Sequence, residues 1–286
     1  MKRISFVLPV LVLLAIACTG DLWAEFKTPR LYIKLQGYGS LSSAGDFGRF
    51  IDQKEMYYST FESDPRYTIS LSKQPFFRGF GGEIGIEVKK HAIGFSAGYI
   101  SKKFSIDYRF EADTYDYENA FLWDFEFSAI PLFVFFHYKL IDSRFFNAYF
   151  TLGEGVYLFT YKDTRAVTFK NAELEFINSE IKARQARLGF HAGISLDFNI
   201  TRNIAIFIDA GYRLAKFKEI EADSFYEDDQ QEAIGEGILF YSVNQKSGDA
   251  EFRIDAVDPP RANWEDISSI LNLNGVSLAA GLKIIF

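Results

Sequence analysis

The chain of 286 residues contains one cysteine, Cys18, so no disulfide can form within it and its fold must stand on packing and hydrogen bonding. Prolines number only 7, and no Pro/Gly/Ser-rich stretch or break in composition marks a linker between domains. There are 3 histidines and no CxxC, HExxH, GxGxxG or P-loop pattern, which leaves zinc, redox, dinucleotide and nucleotide chemistry without support. No cofactor is expected. After the opening residues there is no apolar stretch long enough for a helix to cross a bilayer, and a net charge of −7 argues against a nucleic-acid partner.

What is abundant is aromatic. Phe (31) and Tyr (16) dominate a 17% aromatic content, which favours strands and suits the aromatic girdles of membrane barrels. At the N-terminus, Lys2 and Arg3 precede an apolar run over residues 4–17, too short to span a membrane but the size of a signal-peptide core. Export is expected, with two processing readings. Cleavage after Ala24 leaves a mature domain of residues 25–286; lipoprotein processing instead makes Cys18 the lipidated first residue.

The rest alternates. Residues 276–286 read VSLAAGLKIIF, with Val276, Leu278, Ala280, Leu282, Ile284 and Phe286 on one face and small or polar residues on the other. The same period appears over residues 30–39, 79–88, 92–110, 121–140, 147–161, 186–198 and 204–218, giving eight strands. In the third of these the parity slips near residues 100–102, which predicts a β-bulge. In the fourth, Pro131 calls for a bulge or strand start. In the fifth, Glu154 shares a face with Phe150, Leu152 and Val156, so a bulge or a buried partner is expected there.

Connections alternate short (residues 89–91, 141–145, 199–203) and long and polar (40–78, 111–120, 162–185, 219–272). That rhythm belongs to an up-and-down antiparallel barrel with long loops at one end. The expected fold is therefore all-β: a single-domain transmembrane barrel of eight strands, or ten if the last loop adds a hairpin above the rim. That loop holds fourteen Asp and Glu against three Lys and Arg, so the negative charge of the chain is concentrated there. It is a candidate for divalent cations or a basic surface partner, beside the plain reading of a solvated charge run.

Alternation alone does not distinguish a membrane barrel from a soluble lipocalin-like one. The polar face here is rich in Gly, Ser and Ala, as the narrow interior of an eight-stranded barrel requires. Turned inward, that face carries Lys34, Glu83, Glu87, His137, Lys139, Arg187, His191, Asp197, Asp209, Arg213 and Lys283. Such charges are expected to pair off and plug the lumen; the alternative is a narrow polar path for ions or small solutes. A lipid-modifying barrel enzyme is a further alternative, but His191 and Ser195 are four apart on a strand, ~13 Å, too far for a nucleophile and base to meet. On this facing, Ile206→Arg should be costly and Gly211→Ser much less so.

The strands SAIPLFVFFHYKL, IAIFIDAGYRLA and GLKIIF resemble bacterial outer-membrane β-barrel proteins of the OmpX, OmpW and OmpA-barrel type. The resemblance implies a place among outer-membrane lipids and insertion by the barrel-assembly machinery. It also implies that the closing strand, through Gly281, Ile284 and Phe286, carries the assembly signal.

Overall fold

In the computed structural model the described residues are 29–286, apart from 43–44, 62, 113–116, 171–175, 230, 248, 255–262 and 269. The expected signal segment and Cys18 lie outside them. The described chain forms β1 (Arg30–Ser42), α1 (Asp46–Ser59), β2 (Tyr67–Lys73), β3 (Phe77–Val88), β4 (His91–Ala112), β5 (Tyr117–Asp142), β6 (Phe146–Lys170) and β7 (Phe176–Asn199). It continues through β8 (Ile204–Leu214), β9 (Lys216–Lys218), β10 (Glu221–Asp228), β11 (Glu232–Asn244), β12 (Ala250–Ile254), β13 (Trp264–Ser268), β14 (Ile270–Asn272) and β15 (Gly275–Ile285). All pairings among the described residues are antiparallel.

Eight of these strands close on themselves. The order β1–β3–β4–β5–β6–β7–β8–β15 returns to β1 through the ladder that places Lys34 opposite Lys283. The closing strand behaves as its alternation predicts, holding β1 on one side and β8 on the other. The chain has more strands than that ring, fifteen among the described residues, because the long connections are themselves folded. Residues 162–185, expected as a polar loop, are mostly the outer ends of β6 and β7, and residues 219–272 supply β10–β14. Their polar residues alternate along strands, and without a register that alternation resembles loop composition.

β4–β7 run 22–26 residues, at least twice the ~9–11 a tilted membrane strand needs. Beyond the ring they form a second wall, in which β2 replaces β3 beside β4 and β10 replaces β8 beside β7. Within that wall lies α1. It buries Asp46, Phe50, Lys54 and Tyr58, with Phe47 and Ile51, a single stripe at helical spacing.

The faces of β4–β6 exchange character along their length. In the ring half of β4, Ile93 and Phe95 point out while Ala92, Gly94 and Ser96 point in; farther along, Ile100, Phe104 and Ile106 are buried inside and Lys103 and Asp107 are exposed. β5 repeats this, with Ile130 and Val134 outside and His137 and Lys139 inside the ring, then Trp123, Phe125 and Phe127 inside the upper wall. The slip near residues 100–102 is therefore no bulge. The β3–β4 register runs unbroken from Val88↔His91 to Arg78↔Ser101, and β4–β5 resumes in the same register after a gap. What changes along the strand is the face that carries the apolar side chains.

Pro131 sits where the β4–β5 ladder is interrupted, between Ala97↔Leu132 and Ile100↔Ala129, as a residue without an N–H requires. Glu154 has no bulge beside it. It lies on the outward face opposite Val134 and Phe190, half-buried, with no ion pair or hydrogen bond among the described residues.

Candidate functional site: the lumen of the ring

Inward-facing positions of β1, β3, β5, β7, β8 and β15 converge on two layers of polar side chains. In the layer nearest the short turns, the Glu87 carboxylate accepts from Lys139 at 2.7 Å, Arg30 at 3.2 Å and Lys283 at 3.4 Å. Lys283 also donates to Asp197 at 2.7 Å and to the Tyr149 hydroxyl at 3.4 Å. Asp197, Glu87, Lys139 and Lys283 are all at most 3% exposed. Charges this deep are tolerable because each has an opposite partner.

In the next layer, Glu83 takes a hydrogen bond from the Tyr32 hydroxyl at 2.5 Å and meets His137 Nε2 at 2.8 Å. Lys34 approaches Asp209 at 3.9 Å. Above this layer stand Arg213 and His191, around a cavity of about 80 Å³.

Of the eleven residues expected in the lumen, ten face it. Arg187 does not: it is exposed, and its Nη2 donates to the Lys218 carbonyl at 2.9 Å. The reason is local. β7 pairs with β8 only from Phe190 and with β10 only up to Ala183, so Arg187 sits where the wall lacks a paired neighbour. Without it, four acids meet four Lys and Arg among these ten.

The glycines of the lumen face are not voids. A Cβ on Gly85 or Gly94 would lie 2.4 Å or 2.6 Å from the Tyr32 hydroxyl, one on Gly189 2.4 Å from the Tyr157 ring, and one on Gly153 2.4 Å from the Phe135 ring. Each of these glycines receives an aromatic side chain from another strand, Gly94 from two strands away. Gly211 receives His191, whose Nε2 would lie 2.4 Å from an added Cβ, with the Ala192 carbonyl at 2.9 Å. The expectation that Gly211→Ser is cheap is therefore corrected. Ser195, considered as a nucleophile, is fully buried and hydrogen-bonds Asp197 at 3.4 Å.

Sequence reasoning missed Tyr32, Tyr149 and Arg30 as members of the network. It also missed a second network inside the upper wall. There Trp123 Nε1 donates to Asp163 at 2.6 Å, Arg165 donates to Asp163 at 3.0 Å and lies 3.6 Å from Glu251, and Lys54 contacts Asp249 at 2.5 Å. Lys54 and Arg165 lie over the Trp123 ring, at 4.0 Å and 4.3 Å. Burial pushes the Lys54 ammonium down to about 8, with Asp249 opposing. Among the described residues no group of three or more His, Cys, Asp or Glu is placed to hold a metal ion.

No protein-family model and no curated protein matches the chain. Among solved structures it is similar to a major outer membrane protein from Thermus thermophilus, at 11% identity over 91% of this chain and 100% of that one, with a TM-score of 0.41. It is also similar to Neisserial surface protein A (12%, 91% and 100%, TM-score 0.31) and to the outer membrane protease OmpT from Escherichia coli (9%, 90% and 96%, TM-score 0.35).

Proposed function

We propose that the chain is an outer-membrane β-barrel whose eight-stranded ring spans the bilayer, whose lumen is plugged by its own ion pairs, and whose upper wall is a folded surface platform for interaction outside the cell. The observation that carries this reading is the exchange of faces along β4–β6. The ring exposes Phe80 (68%), Leu35 (57%), Leu278 (57%) and Phe95 (53%) outward, far more contiguous apolar surface than a water-soluble monomer leaves uncovered. Beyond the ring the same strands turn apolar side chains inward, as water outside demands.

The closed lumen follows from two barriers in series. Below, the Glu87–Lys139–Lys283–Asp197 cluster fills the interior of a ring just wide enough for side chains. Above, Phe47, Phe77, Phe127, Phe133 and Phe159 form a continuous apolar core. The reading favours a structural or surface-interaction protein over a channel. The assembly role of Gly281, Ile284 and Phe286 belongs to the same proposal; the Phe286 N–H donates to the Leu31 carbonyl at 2.8 Å, pinning the chain end to β1.

The test is reconstitution of the refolded protein in planar bilayers. A folded barrel with heat-modifiable migration and no conductance steps is expected. Steps that change when Lys283 or Glu87 is neutralised would replace the plugged reading with the channel.

A further inference from the structure

Aromatic rings at the outer end of the wall form a closed circuit. Centroids lie 5.3 Å apart from Tyr57 to Tyr58, 5.8 Å from Tyr58 to Tyr108, 5.6 Å from Tyr108 to Tyr67, 5.2 Å from Tyr67 to Phe61 and 5.3 Å from Phe61 back to Tyr57. Phe121 stands edge-on to Tyr108 at 6.4 Å. Tyr57, Tyr58, Phe61, Tyr108 and Phe121, with Asn119 and Val167, surround a cavity of about 220 Å³. Tyr57 and Tyr58 belong to the last turn of α1, and Tyr108, Phe121 and Val167 to the outer ends of β4, β5 and β6, so the cavity sits at the rim farthest from the ring. Apart from Tyr58 the lining residues are only half-buried, so they keep accessible surface there. Deeper in the wall the core closes, with Phe50, Trp123 and Phe125 at most 3% exposed.

The faces of these rings carry negative charge density and attract cations. Two cations of the chain already lie on the circuit: Lys54 Nζ is 6.0 Å from the Tyr57 centroid and 5.9 Å from that of Tyr58, and Arg66 Cζ is 6.0 Å from that of Tyr67. Each is paired with a carboxylate, Asp249 at 2.5 Å and Asp64 at 2.6 Å, so neither leaves the circuit with an uncompensated positive charge. An apolar cavity of roughly 150 Å³ suffices for benzene, so this one has room for a compact organic cation. From these observations we propose that the rim of the wall holds an aromatic cage for a trimethylammonium group, the chemistry shared by free choline and the phosphocholine headgroup.

The lining selects the kind of cation. Among the described residues no charged side chain borders the cavity, and apart from tyrosine hydroxyls its one polar side chain is Asn119, whose Oδ1 is buried. A primary ammonium or a sugar would bring N–H or O–H groups that this lining cannot satisfy. A trimethylammonium group has no N–H and asks only for ring faces. The inference rests on the reading of the wall as a surface platform, because the cage must meet water, and it deepens that reading by naming a ligand.

The experiment is titration of the refolded full-length protein, in nanodiscs of phosphatidylethanolamine and phosphatidylglycerol, with choline carrying carbon-13-labelled methyl groups, read by NMR line broadening. Saturable binding of one choline per chain is expected, with roughly tenfold weaker binding of ethanolamine and of dimethylbutanol, the neutral isostere in which carbon replaces the nitrogen. Tyr108→Leu and Phe121→Leu, which keep apolar bulk and remove a ring, should each weaken binding by roughly tenfold, and Tyr108→Phe should retain it. Capture of the nanodiscs by phosphatidylcholine vesicles and not by phosphatidylglycerol vesicles would identify a lipid headgroup as the source, and choline binding without capture a free solute; either supports the cage. Absence of saturation in protein that still shows heat-modifiable migration and no conductance overturns this inference alone and leaves the plugged barrel standing. Equal affinity for dimethylbutanol, or Leu variants that bind as the wild type does, also overturns it. If the Leu variants do not fold, the ranking of choline against dimethylbutanol on the wild type decides.

Discussion

The ring and the wall above it are built from the same four long strands and solve opposite problems. In the ring, the apolar residues of β4–β6 face out and the interior is ionic; in the wall, the interior is aromatic and the ionic residues face out or join a buried network around Trp123. The register is the same on the two sides of the boundary near Ala97 and Ile100, although the β4–β5 ladder is interrupted there at Pro131. One lesson is that strand geometry is indifferent to which face is buried, so one strand can exchange its apolar face along its length with no shift of register.

That comparison can be broken with substitutions at matched positions. The largest effect is expected for Phe125→Ala. Its ring is buried against Phe50 at 4.5 Å and Trp123 at 4.6 Å, and the loss should be about 3–5 kcal/mol, typical of an emptied aromatic site. Urea unfolding of the protein in vesicles, followed by Trp fluorescence, measures it. Next comes Ile206→Arg on the outer face of β8, expected to cost about 2–4 kcal/mol in vesicles. The same arginine placed at Ser105, outward on β4 above the ring, should cost less than about 0.5 kcal/mol. Equal costs at these two positions would mean that the outer faces of ring and wall share one medium.

Gly211→Ser should cost about 1–3 kcal/mol, the range for overpacking, through displacement of His191 and pressure on the Ala192 carbonyl. An unchanged urea midpoint would place the His191 ring elsewhere. A smaller effect of opposite sign is expected for Glu154→Leu, which should stabilise the ring by about 1 kcal/mol by removing an unpartnered carboxylate from the apolar outer face. The same assay reads it.

The wall also carries a pH signature. Lys54 titrates at about 8 folded and near its ordinary 10.5 unfolded. Between those values the unfolded chain binds the extra proton, so wall stability rises with pH through that window, and below it the cost of the buried ammonium is present in full. Above pH ~10 the raised phenols of Tyr58 and Tyr241 work in the other direction, because they resist ionisation only when folded. Unfolding of the wall at about pH 7.5 and about pH 9.5 should therefore show a gain in midpoint that Lys54→Met removes.

Much of the ring was legible in the sequence, because a period of two with glycine on one face encodes both the strands and their facing. It placed Lys34, Glu83, Glu87, His137, Lys139, Asp197, Asp209 and Lys283 inside, together with His191 and Arg213. Arg187 escaped because its exposure depends on where β8 stops pairing, which alternation along β7 does not carry. The wall was largely illegible. The exchange of apolar faces at residues 100–102 produces the same parity slip as a bulge, and charged residues on the outer faces of β10 and β11 resemble loop composition. Helix α1 lay within an expected polar loop, since its stripe of Phe47, Phe50, Ile51, Lys54 and Tyr58 is interrupted by Asp52, Gln53 and Glu55. Pairs such as Tyr32 with Gly85 and Gly94 depend on register across strands, which no single strand reveals.

The central claim is that the medium outside β5 changes near Ile130. Spin labels placed singly at the outward positions 122, 124, 126, 128, 130, 134, 138 and 140, with Cys18 removed, would be read in vesicles by relaxation with oxygen and with a water-soluble nickel chelate. Oxygen should dominate at 130, 134 and 138 and nickel at 124, 126 and 128, with a crossover between 128 and 130. Uniform access of nickel along the whole of β5 would contradict the account.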